Sequence, residues 1–160
     1  MSMKELKKYM SLGIIVIIVM ATLVSHVSAD TGKHLFILSG QSNMAGLDHE
    51  LTFVPTVQKE FGKDNVIVVK YAKGGTPIRS WFSEWKAPAG DSKDYGKIGK
   101  LYANLLKNVK MQIKDVNLKT VTVCWMQGER DAKEGLQGVY RKSLEGLIDQ
   151  VRNDLSFKQV

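Results

Sequence analysis

A three-layer α/β fold built on a parallel sheet is the architecture this sequence predicts, and three observations predict it. Three apolar, β-rich runs recur along the chain: His34–Leu38, Asn65–Tyr71 and Thr120–Met126. Segments with helical periodicity separate them, and each run stops at a polar, glycine-bearing turn. Strands alternating with helices imply β-α-β units with right-handed crossovers, whose ligands bind beyond the carboxyl ends of the strands.

Taken in order, the chain opens with Lys4, Lys7 and Lys8, an uncharged run from Ser11 to Val24, and Val27-Ser28-Ala29 before Asp30. A basic start, an apolar middle and small residues before a cut read as a secretory signal peptide over residues 1–29, cleaved after Ala29. The alternative, an uncleaved anchor, meets an apolar run short of the roughly 20 residues needed to span hydrocarbon. Cleavage removes three lysines and one glutamate, taking the net charge from +7 to +5, and leaves residues 30–160 as one domain. The expected location is secreted or periplasmic, with no stable membrane association after cleavage.

The first strand, His34–Leu38, is apolar enough to be covered on both faces, and it breaks at Ser39-Gly40. A glycine there permits a tight turn that lifts Ser42 above the sheet edge. Pro55–Phe61 has short helical character and stops at Gly62. Asn65–Tyr71 is the second strand, followed by the loop Gly74-Gly75-Thr76-Pro77. Trp81, Phe82 and Trp85 form an aromatic cluster before a polar insert, Lys86–Gly99. Two readings of the cluster stand side by side: a hydrophobic knot pinning the insert, or a pocket wall on which a sugar ring packs. A helix over Ile98–Ile113 follows from Leu101, Leu105, Val109 and Ile113 at four-residue spacing. The third strand, Thr120–Met126, stops at Gln127-Gly128-Glu129, and Gly138–Leu155 reads as a second long amphipathic helix. Ser156–Val160 is only enough to begin another strand.

Composition narrows the chemistry. The lysines come singly, without clustered arginines and stacking aromatics, so no nucleic-acid partner is expected. Cys124 is the single cysteine and lies inside an apolar β run, where a thiol usually serves as a small buried hydrophobe. The three histidines, His26, His34 and His49, form no ligand spacing with cysteines or carboxylates, so no metal is expected.

On residues alone, strand, glycine turn and serine leave a nucleophile and an ordinary turn both open. The block GQSNM, Gly40–Met44, resembles the first block of the SGNH hydrolase superfamily in the form carried by sialate O-acetylesterase-like proteins and related carbohydrate acetylesterases. That resemblance implies Ser42 as nucleophile and a flavodoxin-like SGNH hydrolase fold. GGTPIRSW is similar to the second block, in which a glycine amide helps hold the oxyanion; this implies Gly75, with Gly74 as the alternative. WMQGERDA is similar to the third block, which implies the Gln127 side-chain amide as a second donor and the Ser42 amide as a third.

Glu129 is then expected to face the pocket and orient Gln127 or the Ser42 loop, while Gln41 and Asn43 flank and brace the serine. Gln41, Asn43, Gly74, Arg130 and Trp81 are the expected substrate-side residues; Arg130 stands where the family more often carries serine. The family's D-x-x-H segment, source of its aspartate and histidine, has no counterpart here, and His49 is a distant alternative as base. The resemblance covers Lys33–Leu155 and implies an amino-terminal portion of the domain, with the fold incomplete at the carboxyl end. Its implied function is removal of O-acetyl groups from carbohydrates, sialic acid or plant polysaccharide, by a parent enzyme whose 160-residue portion is inactive alone, and this esterase chemistry requires no cofactor. A noncatalytic carbohydrate-binding relic is the alternative, and a lipase or thioesterase of the same superfamily a third reading.

Overall fold

The computed structural model describes residues 32–157. The segment expected to be a signal peptide and the last three residues lie outside the described residues. Three strands, β1 (Lys33–Gly40), β2 (Val66–Ala72) and β3 (Leu118–Met126), form a parallel sheet in the order β2-β1-β3. Phe36 lies opposite Val68 and Thr122, and Gly40 lies opposite Ala72 and Met126, so all three strands end together. That common end is what brings three separate loops to one edge.

The central strand explains its own sequence. From His34 to Gly40 every residue of β1 is buried, and Leu35, Ile37 and Leu38 are exposed by no more than 2 %. Burying each such side chain stabilises the fold by about 1.5–3 kcal/mol. Alternation divides the strand between two layers. Leu35 and Ile37 join Val69 and Val121 in a core covered by Leu101, Tyr102, Leu105 and Val109 of one helix and by Leu147 and Val151 of another. Phe36 points the other way, edge-on to Phe53 with ring centroids 5.7 Å apart and tilted against Phe61 at the same distance. The result is the three-layer α/β arrangement with a parallel sheet that the alternating pattern predicts.

The helices in chain order are α1 (Ser42–Gly46), α2 (Phe53–Phe61), α3 (Lys100–Gln112), α4 (Glu129–Lys133) and α5 (Gln137–Asp154). The expected long helices and strands stand within about two residues of their observed ends, the usual fraying of such boundaries. Two of the α-helices are additions. The segments expected as plain turns after β1 and β3 are each a single short helical stretch, α1 and α4.

Trp81 and Trp85 are buried and form the knot, while Phe82 is half-buried. A 3₁₀ turn over Ile78–Ser80 carries the chain inward, and Trp81 is wholly buried, its ring perpendicular to Trp125 at 5.6 Å and edge-on to Tyr71 at 5.9 Å. The reading of Trp81 as a face for a sugar ring is therefore corrected: the side chain has no exposed surface. Trp85 is buried against Tyr95 of the insert, and the Arg79 guanidinium sits over the rings of Trp85 and Tyr95 at 5.9 and 5.0 Å. These contacts pin Lys86–Gly99 to the body without any regular structure of its own.

Candidate active site

The site is the common carboxyl edge of the three strands. Gly40 closes β1 with φ +141°, and a Cβ there would stand 2.1 Å from the Met126 carbonyl oxygen. No side chain fits so close to the backbone of β3, which is why the block begins with glycine. The chain is clamped on both sides of this point: the Gln41 amide donates to Met126 O at 2.8 Å, and the Lys73 amide donates to Gly40 O at 3.1 Å. Turned up by this clamp, Ser42 is exposed at the first position of α1, while its neighbours Gln41 and Met44 are buried. Lys70 of β2 secures the far end of α1, its ammonium donating to the carbonyls of Ala45 and Leu47.

The loop after β2 reaches Ser42 directly. A methyl built on Gly74 would lie 3.9 Å from Ser42 Cβ, and Gly75 has φ +69°, the left-handed region that glycine enters without strain. Among the described residues the amides of Ser42, Gly74 and Gly75 carry no hydrogen bond. The serine turn and the adjacent glycine loop thus carry three unspent N–H donors, the kind of group that stabilises a developing oxyanion.

The loop after β3 behaves differently from expectation. Gln127 is brought to the site, yet its Nε2 is committed to three acceptors: Asp131 Oδ2 at 2.5 Å, Thr76 O at 3.2 Å and Gln41 Oε1 at 3.3 Å. Two hydrogens shared among three acceptors leave none for an oxyanion. The expectation of Gln127 as a donor to substrate is corrected for this arrangement: its amide braces the three loops against one another. Tyr140 of α5 supports it from below, donating to Gln127 O at 2.7 Å and accepting from Trp125 Nε1 at 3.2 Å. Burial pushes the Tyr140 hydroxyl pKa above its ordinary value, so it stays a neutral donor.

Gln41 is likewise a brace rather than a substrate contact. It is 4 % exposed, and its Oε1 accepts from Gln127 Nε2 and from the Arg130 amide, each at 3.3 Å. Asn43 and Glu129 are exposed and meet across the loops, Asn43 Nδ2 donating to Glu129 Oε1 at 2.7 Å. Glu129 is thereby tied to the Ser42 loop, one of the two roles its position suggests. Arg130 lies at the rim, with its guanidinium turned to Glu134 at 2.5 Å. Glu134 also accepts two bonds from Arg79, and the hydrogen bond from Arg79 is the main cause holding its carboxyl below the ordinary glutamate value.

Asp131 is the residue that sequence reasoning missed. It is 1 % exposed, and its Oδ2 accepts from Gln127 Nε2 at 2.5 Å and from the Ile78 amide at 2.8 Å. It lies on α4, just after the Gln127-Gly128 turn, and nothing in the residue pattern marks it as Gln127's partner. Asp131 Oδ1 and Gln127 Oε1 are buried without a donor among the described residues.

The two described histidines have partners other than Ser42. His34 Nδ1 lies 2.8 Å from Thr120 Oγ1 near the amino end of β1, and His49 pairs with Glu50 at 3.3 Å. Among the described residues no group of three His, Cys, Asp or Glu side chains could hold a metal, and no helix is long and apolar enough to cross a membrane. Burial raises the Cys124 thiol pKa, which favours the less reactive neutral form.

Compared with known families, residues 46–160 match the one described as carbohydrate esterase, sialic acid-specific acetylesterase. The matched stretch includes Gly74, Gly75, Gln127, Glu129 and Asp131, and begins just past Ser42. No curated protein and no solved structure matches the chain.

Proposed function

The chain belongs to this family of carbohydrate esterases, and on that premise we propose that it supplies the serine-bearing part of a secreted esterase that removes O-acetyl groups from sugars, with Ser42 as nucleophile. The observation that carries the reading is the exposed Ser42, on a turn clamped to both neighbouring strands, with Gly74 of the unspent Gly74-Gly75 loop beside it.

Ser42 Oγ attacks the acetyl carbonyl carbon while a base takes its proton. The carbonyl oxygen gains negative charge, met by the amides of Ser42 and Gly75 with Gly74 beside them. Donors of this kind contribute about 3–4 kcal/mol each when one is important to the transition state. The C–O bond to the sugar then breaks, the sugar oxygen leaves with a proton, and water hydrolyses the acetyl-serine to acetate. In this reading the base comes from outside residues 32–157; His34 is bonded to Thr120 near the amino end of β1 and His49 to Glu50. An acetylated carbohydrate, sialic acid or plant polysaccharide, is the proposed substrate class. Residues 30–160 form the amino-terminal part of the hydrolase domain in this reading, and residues 1–29 its removed leader.

A second reading, carbohydrate binding without catalysis, is favoured by the same engagement of both described histidines. One experiment separates the two. In the full-length protein, Ser42→Ala should abolish hydrolysis of 4-nitrophenyl acetate and of O-acetylated sialic acid while thermal unfolding is unchanged. Turnover surviving the substitution removes Ser42 from the mechanism. Binding of acetylated over deacetylated glycan with no turnover in either form supports the second reading. The same preparation, secreted, should begin at Asp30 by amino-terminal sequencing; retention of Met1 refutes the leader.

A further inference from the structure

We infer that Asp131 is a positioning residue of this site, acting through a single oxygen to lock the loops after β2 and β3 together. The inference rests on the reading of Ser42 and the Gly74-Gly75 amides as the reacting centre, and adds what holds that centre in register.

The geometry is specific. Asp131 Oδ2 takes the Ile78 amide at 2.8 Å and the Gln127 side chain at 2.5 Å, while Oδ1 meets no donor among the described residues. Ile78 opens the 3₁₀ turn that ends the Gly74–Pro77 loop, and it is wholly buried. Gln127 in turn spends its amide on Thr76 O of the same loop and on Gln41 Oε1, one residue before Ser42. A chain of hydrogen bonds therefore runs from the floor of the β2 loop, through Asp131 and Gln127, to the nucleophile turn. Its effect is to fix the distance between the glycine amides and Ser42, a distance that the exposed loops alone would leave soft. Because Gln127 has no N–H left, the donors to an oxyanion are the backbone amides, and their placement is what Asp131 controls.

Both bonds converge on one oxygen, and this separates positioning from proton transfer. The oxygen of an asparagine amide can accept both bonds in place of Oδ2, and its NH2 would occupy the position of Oδ1, where no donor stands. A leucine of similar shape accepts neither. Asp131→Asn should therefore preserve the site where Asp131→Leu loses it. A 1 Å misplacement of reacting groups can lower a rate on the order of a hundredfold.

The test uses the full-length protein, with kcat expressed per Ser42 titrated by a fluorophosphonate. Asp131→Leu should lower kcat on the order of a hundredfold with KM little changed, and Asp131→Asn should stay within about tenfold of the parent. Equal loss in the two variants overturns the inference, because the carboxyl itself would then be needed; an undiminished Leu variant overturns it as well. A second readout needs no turnover: hydrogen exchange of the Ile78 amide and of the Gln127 side-chain amide by NMR. Both should be protected in the parent and in Asp131→Asn and exposed to exchange in Asp131→Leu; protection unchanged in Leu, or lost in Asn, overturns the inference. Ser42→Ala run alongside distinguishes the failures, since activity surviving it refutes the nucleophile while the exchange result still decides Asp131.

Discussion

The two ends of the same three strands are held by different balances of force. At the amino end, rings meet rings: His34 stacks on Phe61 with centroids 4.3 Å apart, and Phe36 contacts Phe53 and Phe61, with the His34–Thr120 bond as a directional contact in the group. At the carboxyl end Trp81 also packs on Tyr71 and Trp125, but the loops above it are joined by hydrogen bonds among Gln41, Asn43, Thr76, Gln127, Glu129 and Asp131. Apolar packing accepts a change of shape with modest loss, whereas a buried polar network loses its partners all at once. The end that must hold atoms at fixed distances is the end built from directional bonds.

Three substitutions probe that contrast, in order of decreasing effect. Gly40→Ala forces a Cβ to within 2.1 Å of the Met126 carbonyl at φ +141°, so β1 and β3 must separate at the site. Overpacking and strain together should lower stability by about 3–5 kcal/mol, read by urea denaturation. Survival with less than 1 kcal/mol of loss, on the scale of an ordinary surface change, would mean the clamp is not a constraint.

Next, Gln127→Leu at the polar end is set against Phe36→Leu at the apolar end. The first strands Asp131, Thr76 and Gln41 acceptors and should cost about 2–3 kcal/mol. The second trades one buried apolar group for another and should cost about 1–1.5 kcal/mol. A reversed order would show that the ring packing, not the network, is the less tolerant end.

The smallest effect belongs to the rim. Glu134 has its carboxyl pKa lowered, chiefly by the Arg79 hydrogen bond, and its side chain is 21 % exposed. A lowered folded pKa contributes stability that is present above the unfolded value and lost as pH falls through the folded one. Glu134→Gln should therefore destabilise the protein at pH 7, and the difference from the parent should shrink on acidification below about pH 4.3. A difference that stays constant down to pH 2 would assign the effect to packing rather than to the ion pair.

Much of this was legible in the residues. Apolar runs announced three parallel strands, and helical periodicity announced the two long helices, because both signals record which side chains must leave water. The blocks around Ser42, Gly75 and Gln127 marked three loops at one edge, and the Ser42 and Gly75 turns carry the geometry that glycine there requires. Trp81 and Gln127 were harder. A buried tryptophan and a tryptophan on a pocket wall have the same neighbours in sequence, and only the inward 3₁₀ turn at Ile78–Ser80 separates them.

What the sequence by itself determined was the order of strands and helices, the family, and the places where the backbone must turn without a side chain. Tertiary structure decided which polar atoms were already spent. Gln127 is a free donor in any local reading, and becomes a brace once Asp131, Thr76 and Gln41 converge on it from positions up to 86 residues away. Hydrogen-bond capacity is finite, and its allocation depends on every group that folding brings within reach. Periodicity records burial; it carries no account of which donors remain.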